Sequence, residues 1–277
     1  MQRLWFITNP GSGSATPEKC EALEAVFAER GLALVGRTRF PDEDLPTAAT
    51  LDAARADTIV LFAGDGTINA TLVALETWSG AFLILPGGTM NLLAKALHDS
   101  VDPAEIIHAA HTAGRRTTVP AIEAGAHRAF VGVIIGPAAS WFRAREAARG
   151  RQLRRLWAAA RLAWRRTFGR GVRVGGVAGL QRGCQAVFVR PATPRMLVAG
   201  IDARDWRGIV GLGWSWLTGE WVAARAVQAG EAAELWNAER RPVLALFDGE
   251  PVTLAPGARL RATQSRTQLL ATRAEAA

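Results

Sequence analysis

Ala63-Gly64-Asp65-Gly66-Thr67 and, further on, Leu85-Pro86-Gly87-Gly88-Thr89-Met90-Asn91 decide how this 277-residue chain is read. Each run follows an apolar stretch of strand character, Thr58–Phe62 and Ala81–Leu85, and each opens a helical pattern, around Ile68–Thr77 and Asn91–Leu97. Glycine at such a place lets backbone N–H groups approach an anion, and the helix N-terminus behind it adds a favourable dipole. Two such turns side by side predict a polyphosphate cradle, with ATP as the expected ligand.

Working outward, the strand-like runs Leu4–Thr8 and Ala33–Thr38 and the helical stretches Pro17–Arg30 and Leu45–Arg55 continue the alternation. This predicts an α/β domain over residues 1–120, built on a mostly parallel sheet whose ligands bind at the carboxyl ends of its strands. Beyond Val119 the runs Ala129–Ile135, Gln185–Arg190, Met196–Ile201, Val243–Phe247 and Arg259–Thr263 predict a mainly antiparallel β domain over residues 121–277. Helical stretches near Glu146–Phe168 and Asp205–Leu217 interrupt it, and the polar tail from Gln264 is expected to fray.

With 49% hydrophobic residues the chain can bury a substantial core. Cys20 and Cys184 have no spacing that suggests zinc or a disulfide framework, which suits a reducing cytoplasm. Leu4–Ile7 is too short for a signal peptide and runs straight into Asn9-Pro10-Gly11. No stretch reaches the roughly 18 apolar residues of a membrane span, so the expected location is cytoplasmic, peripheral at the inner membrane face.

The net charge of +8 is local: between Trp141 and Arg173 eleven arginines face the single acid Glu146. Leu153, Leu156, Trp157, Ala160, Trp164 and Phe168 recur there at helical spacing, with Arg151, Arg154, Arg155, Arg161, Arg165 and Arg166 around them. Such a cationic amphipathic helix suits an anionic membrane surface, or packs its apolar stripe on the β domain with the arginines solvated. Clustered arginine also neutralises nucleic-acid phosphates, but no nucleic-acid motif accompanies it. Trp206, Trp214, Trp216, Leu217 and Trp221 serve either an acyl-chain pocket or core packing.

Asn9-Pro10-Gly11-Ser12-Gly13 after the first strand, Gly64-Asp65-Gly66-Thr67 after the third, Pro86-Gly87-Gly88-Thr89-Met90-Asn91 after the fourth and Phe247-Asp248-Gly249-Glu250-Pro251 near the end follow one another in an order that resembles the diacylglycerol kinase catalytic-domain family. That family includes sphingosine kinases and bacterial lipid kinases, and NAD kinases and phosphofructokinases share its first glycine turn. The resemblance implies an ATP- and Mg²⁺-dependent lipid kinase acting on diacylglycerol or a related lipid alcohol. It implies a nucleotide site lined by Asn9, Ser12, Gly13, Thr38, Gly64, Asp65, Gly66, Thr67, Gly88, Thr89 and Asn91, with Asp248 as general base supported by Glu250. Thr38 also reads as an ordinary strand end, and Asp248-Gly249 as an ordinary β-turn. An acid among phosphates needs a compensating cation, which makes Asp65 a direct or outer-shell Mg²⁺ ligand. Lys95 either reaches a phosphate or is solvated at its helix end, and His98, His108 and His111 receive no function.

Three departures from the family pattern stand out. Ala63 replaces the first of two paired glycines, Gly132–Ala138 lacks an asparagine and an aspartate, and Arg190–Leu197 has no acid where many bacterial members hold a structural metal. Asp202 and Asp205 do not restore that motif, so no second metal is expected. The departures keep two alternatives open, a membrane-associated nucleotide-binding pseudokinase and an NAD kinase-like enzyme. Neither the lipid nor the oligomeric state is legible.

Overall fold

The computed structural model describes residues 1–13, 15–88, 91–136, 171–180, 183–201 and 227–273. Thr89, the expected helices near 146–168 and 205–217 with their arginines and tryptophans, and Asp202 and Asp205 lie outside these residues. The chain divides into two compact units, Met1–Pro120 together with the C-terminal segment from Gln264, and Ala121–Thr263.

The first unit alternates strand and helix: β1 (Arg3–Thr8), α1 (Pro17–Glu29), β2 (Ala33–Arg39), α2 (Ala48–Ala53), β3 (Thr58–Ala63), α3 (Asp65–Ala74), β4 (Ala81–Pro86), α4 (Leu92–Leu97), α5 (Pro103–Ala113) and β5 (Arg115–Thr117). The second unit comes next with β6 (Pro120–Ala124), β7 (His127–Ala129), β8 (Val133–Ile135), β9 (Val174–Gly175), β10 (Ala186–Arg190), β11 (Met196–Ile201), β12 (Val227–Ala232), β13 (Glu234–Asn237), β14 (Val243–Phe247), β15 (Glu250–Leu254) and β16 (Arg259–Gln264). The chain then returns to the first unit as β17 (Gln268–Ala271).

The first sheet has the order β2-β1-β3-β4-β17-β5 and is parallel except where β17 meets β5. Every residue of β3 and β4 is buried, as expected of a parallel sheet covered on both faces. On one face Leu4, Phe6, Phe62 and Leu83 pack with Leu23 and Phe27 of α1 and with Ile106 and Ile107 of α5. Burial of each large apolar side chain there stabilises the fold by about 2 kcal/mol. Phe82, which follows the alternation of β4 to the other face, takes the Trp78 ring edge-on at 5.5 Å.

Helix starts fall into two classes. Thr16 caps α1, Thr47 caps α2 and Asp102 caps α5, each accepting a backbone N–H of the first turn, with Pro17 and Pro103 opening α1 and α5. α3 and α4, which follow the glycine runs, have no such bond from their own cap residues Gly64 and Asn91.

Two expectations need correction. The tail from Gln264 does not fray: Leu269, Leu270 and Ala271 are buried, and β17 fills the place between β4 and β5. Its apolar run is too short to stand out beside the polar residues around it. α3 begins at Asp65 rather than at Ile68, because Gly64 takes an extended N-cap conformation and releases the helix immediately.

In the second unit two sheets, β12-β11-β10-β8-β14-β15 and β7-β6-β16-β13-β9, share one core. Val133, Ile135, Val187, Val198 and Phe247 come from the first, and Ile122, Ala129, Leu235 and Leu260 from the second. The pairings are antiparallel throughout the first of these sheets. The architecture is thus an α/β domain with a mostly parallel sheet followed by a mainly antiparallel β region. No helix among the described residues is long and apolar enough to cross a membrane.

Candidate active site

Register sets the constellation of the first unit. Thr8 lies beside Phe62, and Ala63 beside Pro86, so the loops after β1, β3 and β4 leave the sheet at the same carboxyl edge. Asn9 organises the first loop: its Oδ1 accepts the Gly11 N–H at 2.8 Å, and its Nδ2 donates to Thr67 Oγ1 on α3 at 2.7 Å. Ser12 Oγ accepts the Gly64 N–H at 2.9 Å. The loop after β1 is therefore stitched to the first glycine turn at two points.

The two glycine turns touch through their backbones. A Cβ on Gly88 would stand 2.7 Å from Gly64 Cα, and one on Gly87 would stand 2.4 Å from Ala63 N, so a side chain at either position would push the turns apart. Asn91 closes the second turn, with φ +52° and its Oδ1 accepting the Gly88 N–H at 2.7 Å. At Gly13 a Cβ would meet nothing within 4 Å, which leaves open space beside the stitched loops. A cradle of close backbones, with open space beside it and a ten-residue helix whose N-cap residue Gly64 supplies no side-chain cap, fits a phosphate group.

Asp65, the first residue of α3, reaches across the cradle: its Oδ1 accepts the Leu92 N–H at 3.2 Å. Burial raises its carboxyl above the usual range, and the N–H groups of Leu92, Asn91 and Leu93, with the Lys95 charge, work against that rise. No three His, Cys, Asp or Glu side chains gather into a metal cage among the described residues. The cradle offers a divalent cation this one carboxylate, and phosphate oxygens and water would complete the shell, as they commonly do for Mg²⁺.

Thr38 stands apart from this constellation. It is buried at 4% exposure, and its Oγ1 accepts the Trp5 indole N–H at 3.0 Å. Gly36 makes room for the same indole, since a Cβ there would fall 2.3 Å from the ring. The structure thus employs Thr38 in fastening β2 to β1. His98, just after α4, is equally structural: Nε2 donates to Ile84 O at 3.1 Å, so Nδ1 accepts from Thr272 Oγ1 at 3.0 Å. Burial depresses its pKa to about 4 and keeps it neutral.

A separate constellation lies within the second unit. Asp248 and Gly249 form the two-residue turn between β14 and β15, with Phe247 opposite Glu250 and φ of +49° and +93°. Positive φ at both central residues is the geometry that Asp-Gly hairpins favour, so the ordinary-turn reading of this motif is correct as far as it goes. The carboxylate does something a turn does not require. Its Oδ2 accepts the Phe130 N–H at 2.8 Å, and its Oδ1 accepts those of Val131 and Gly132, both at 2.9 Å. The Asp248 N–H returns a bond to Gly132 O at 3.0 Å. Three N–H donors fix the direction of the group.

Glu250 is exposed, and the N–H groups of Phe130–Gly132 hold the Asp248 carboxylate. Sequence reasoning missed this seat, because Gly132 drew notice only as part of a departure from the family pattern. The acid-free stretch from Arg190 to Leu197 is the connection between β10 and β11, closed by the pair Arg190 and Leu197.

The profile of the family described as "Diacylglycerol kinase catalytic domain" matches residues 3–123. No curated protein matches the chain. Among solved structures, a diacylglycerol kinase from Bacillus anthracis str. Sterne is similar at 13% identity and a TM-score of 0.62, over 98% of this chain and 97% of that one. A candidate diacylglycerol kinase from the same strain gives 15% identity and a TM-score of 0.64 over the same shares. At these identities the likeness is one of fold.

Proposed function

We propose, from the match of residues 3–123 to the diacylglycerol kinase catalytic-domain model, that the protein is an ATP-dependent lipid kinase. It transfers the γ-phosphate to the hydroxyl of diacylglycerol or a related lipid alcohol. The observation that carries the reading is the cradle, in which Ser12 holds Gly64, Asn91 holds Gly88 and the two glycine turns meet backbone to backbone.

In this reading Asn9, Ser12, Gly13, Gly64, Gly66, Thr67, Gly88, Thr89 and Asn91 line the nucleotide, with the first turn of α3 directed at phosphate. Mg²⁺, when bound, supplies charge neutralisation on the phosphate oxygens, with Asp65 the acid nearest to it. Asp248 orients the acceptor hydroxyl and takes its proton, which calls for a carboxylate held ionised and fixed in direction. Thr38 acts indirectly, by steadying β1 beneath the Asn9 loop. Arg151, Arg154, Arg155, Arg161, Arg165 and Arg166 bring the enzyme to anionic membrane, and its place is the cytoplasmic membrane face.

The test is labelled ATP with Mg²⁺ and a panel of diacylglycerol, sphingoid base, ceramide and phosphatidylglycerol in neutral and anionic vesicles, at two salt concentrations. The expected result is one labelled lipid, formed faster on anionic vesicles and less so at high salt. Absence of label in every lipid, with ADP bound, would establish the pseudokinase instead. That second reading has its own support, since the grip of three N–H groups on Asp248 would serve a purely structural aspartate equally well.

A further inference from the structure

We infer that Asp65 is a positioning residue whose carboxylate caps α4 from across the cradle and so sets the shape of the second glycine turn. The functional arm of this inference rests on the nucleotide reading above.

A helix start leaves backbone N–H groups without intrahelical partners, and the residue before it ordinarily satisfies one of them. Asn91 cannot do so for α4: its backbone is left-handed at φ +52°, and its Oδ1 is turned back onto the Gly88 N–H at 2.7 Å. The acceptor comes from elsewhere, as Asp65 Oδ1 takes the Leu92 N–H at 3.2 Å. The two helices that follow the glycine runs are therefore unequal. α4 is closed by a carboxylate of the protein itself, whereas α3 receives no side-chain bond from its own N-cap residue, Gly64.

This arrangement has two consequences. The charge of Asp65 is balanced in part by main-chain dipoles and by Lys95, one turn along α4, so the acid has partners in the cradle other than a cation. And because Gly88 approaches Gly64 so closely that a Cβ would stand 2.7 Å from its Cα, displacement of the second turn is passed directly to the start of α3.

The experiment compares the wild type with Asp65→Asn and Asp65→Ala. ADP affinity is measured by calorimetry in EDTA and again in Mg²⁺, and exchange of the Leu92 amide is followed by NMR without nucleotide. Loss of a cap corresponds to about a fivefold change in an equilibrium. Asp65→Ala is therefore expected to weaken ADP binding in EDTA by about that factor and to speed Leu92 exchange by a similar one. Asp65→Asn, whose amide oxygen still accepts, is expected to recover most of both. Wild-type affinity for Asp65→Ala in EDTA, with the loss confined to Mg²⁺ and Leu92 exchange unchanged, would overturn the inference and make Asp65 a metal ligand only. Should the wild type itself fail to bind ADP, the nucleotide reading falls, and Leu92 exchange alone decides whether Asp65 is the cap.

Discussion

Asp65-Gly66 and Asp248-Gly249 are the same dipeptide in two environments, and they fold differently. The first opens α3 after a buried parallel strand, with Gly64 extended as N-cap, while the second turns an antiparallel hairpin with positive φ at both positions. In each case the aspartate side chain leaves its own element and accepts main-chain N–H groups of another, Leu92 in one and Phe130, Val131 and Gly132 in the other. The dipeptide supplies a sharp change of direction and an acceptor. The residues on its C-terminal side decide between a helix start and a hairpin.

The comparison breaks most readily at the carboxylates. Asp248→Asn should lower lipid phosphorylation by at least about a hundredfold, the usual scale for loss of a general base, with ADP affinity kept. Asp65→Asn should act mainly on the nucleotide side and far more weakly. Equal loss of turnover in the two variants, measured by initial rates, would show that the two aspartates share one role.

Glycine separates the turns next. Gly87→Ala places a Cβ 2.4 Å from the Ala63 backbone nitrogen, a contact no side-chain rotation relieves, and should cost about 3 kcal/mol in urea unfolding. Gly249→Ala meets nothing within 4 Å but keeps φ near +93°, so its penalty is one of backbone conformation, about 1 kcal/mol. A larger penalty at 249 than at 87 would reverse the account of which turn is close-packed.

Comparable in size to the Gly87 effect is a pH response in the first unit. His98 comes just after α4, the helix that Asp65 caps, and its pKa falls from the ordinary 6.5 to about 4 in the folded chain. Above pH 6.5 both states are neutral and the stability is fully present; as pH falls from 6.5 toward 4 the unfolded chain takes the proton first, and up to about 3 kcal/mol is lost. His98→Gln should flatten that part of the curve of unfolding free energy against pH.

Much of the first unit was legible because its strands are continuous apolar runs ending in glycine motifs; the ends expected for β1 to β4 differ from those found by a residue at most. β17 was not, since Leu269-Leu270-Ala271 carries no period and its partners β4 and β5 are distant in sequence. Within the site, the residue types of the Asn9 loop and both glycine turns could be named from spacing alone. Their stitching could not, because Asn9 to Thr67, Ser12 to Gly64 and Asp65 to Leu92 are contacts between loops that only sheet register brings together. The seat of Asp248 was invisible for another reason, that backbone N–H groups leave no mark in side-chain identity.

The return of the chain as β17 has a consequence for synthesis. Residues that open the first sheet leave the ribosome early, yet the strand between β4 and β5 emerges only after all of Ala121–Thr263. The inserted unit can complete its core while its host sheet still lacks a strand, which reverses the usual order of domain completion along a nascent chain. The part of the molecule begun first is thus finished last, with an incomplete sheet to shield until Leu269 and Leu270 arrive.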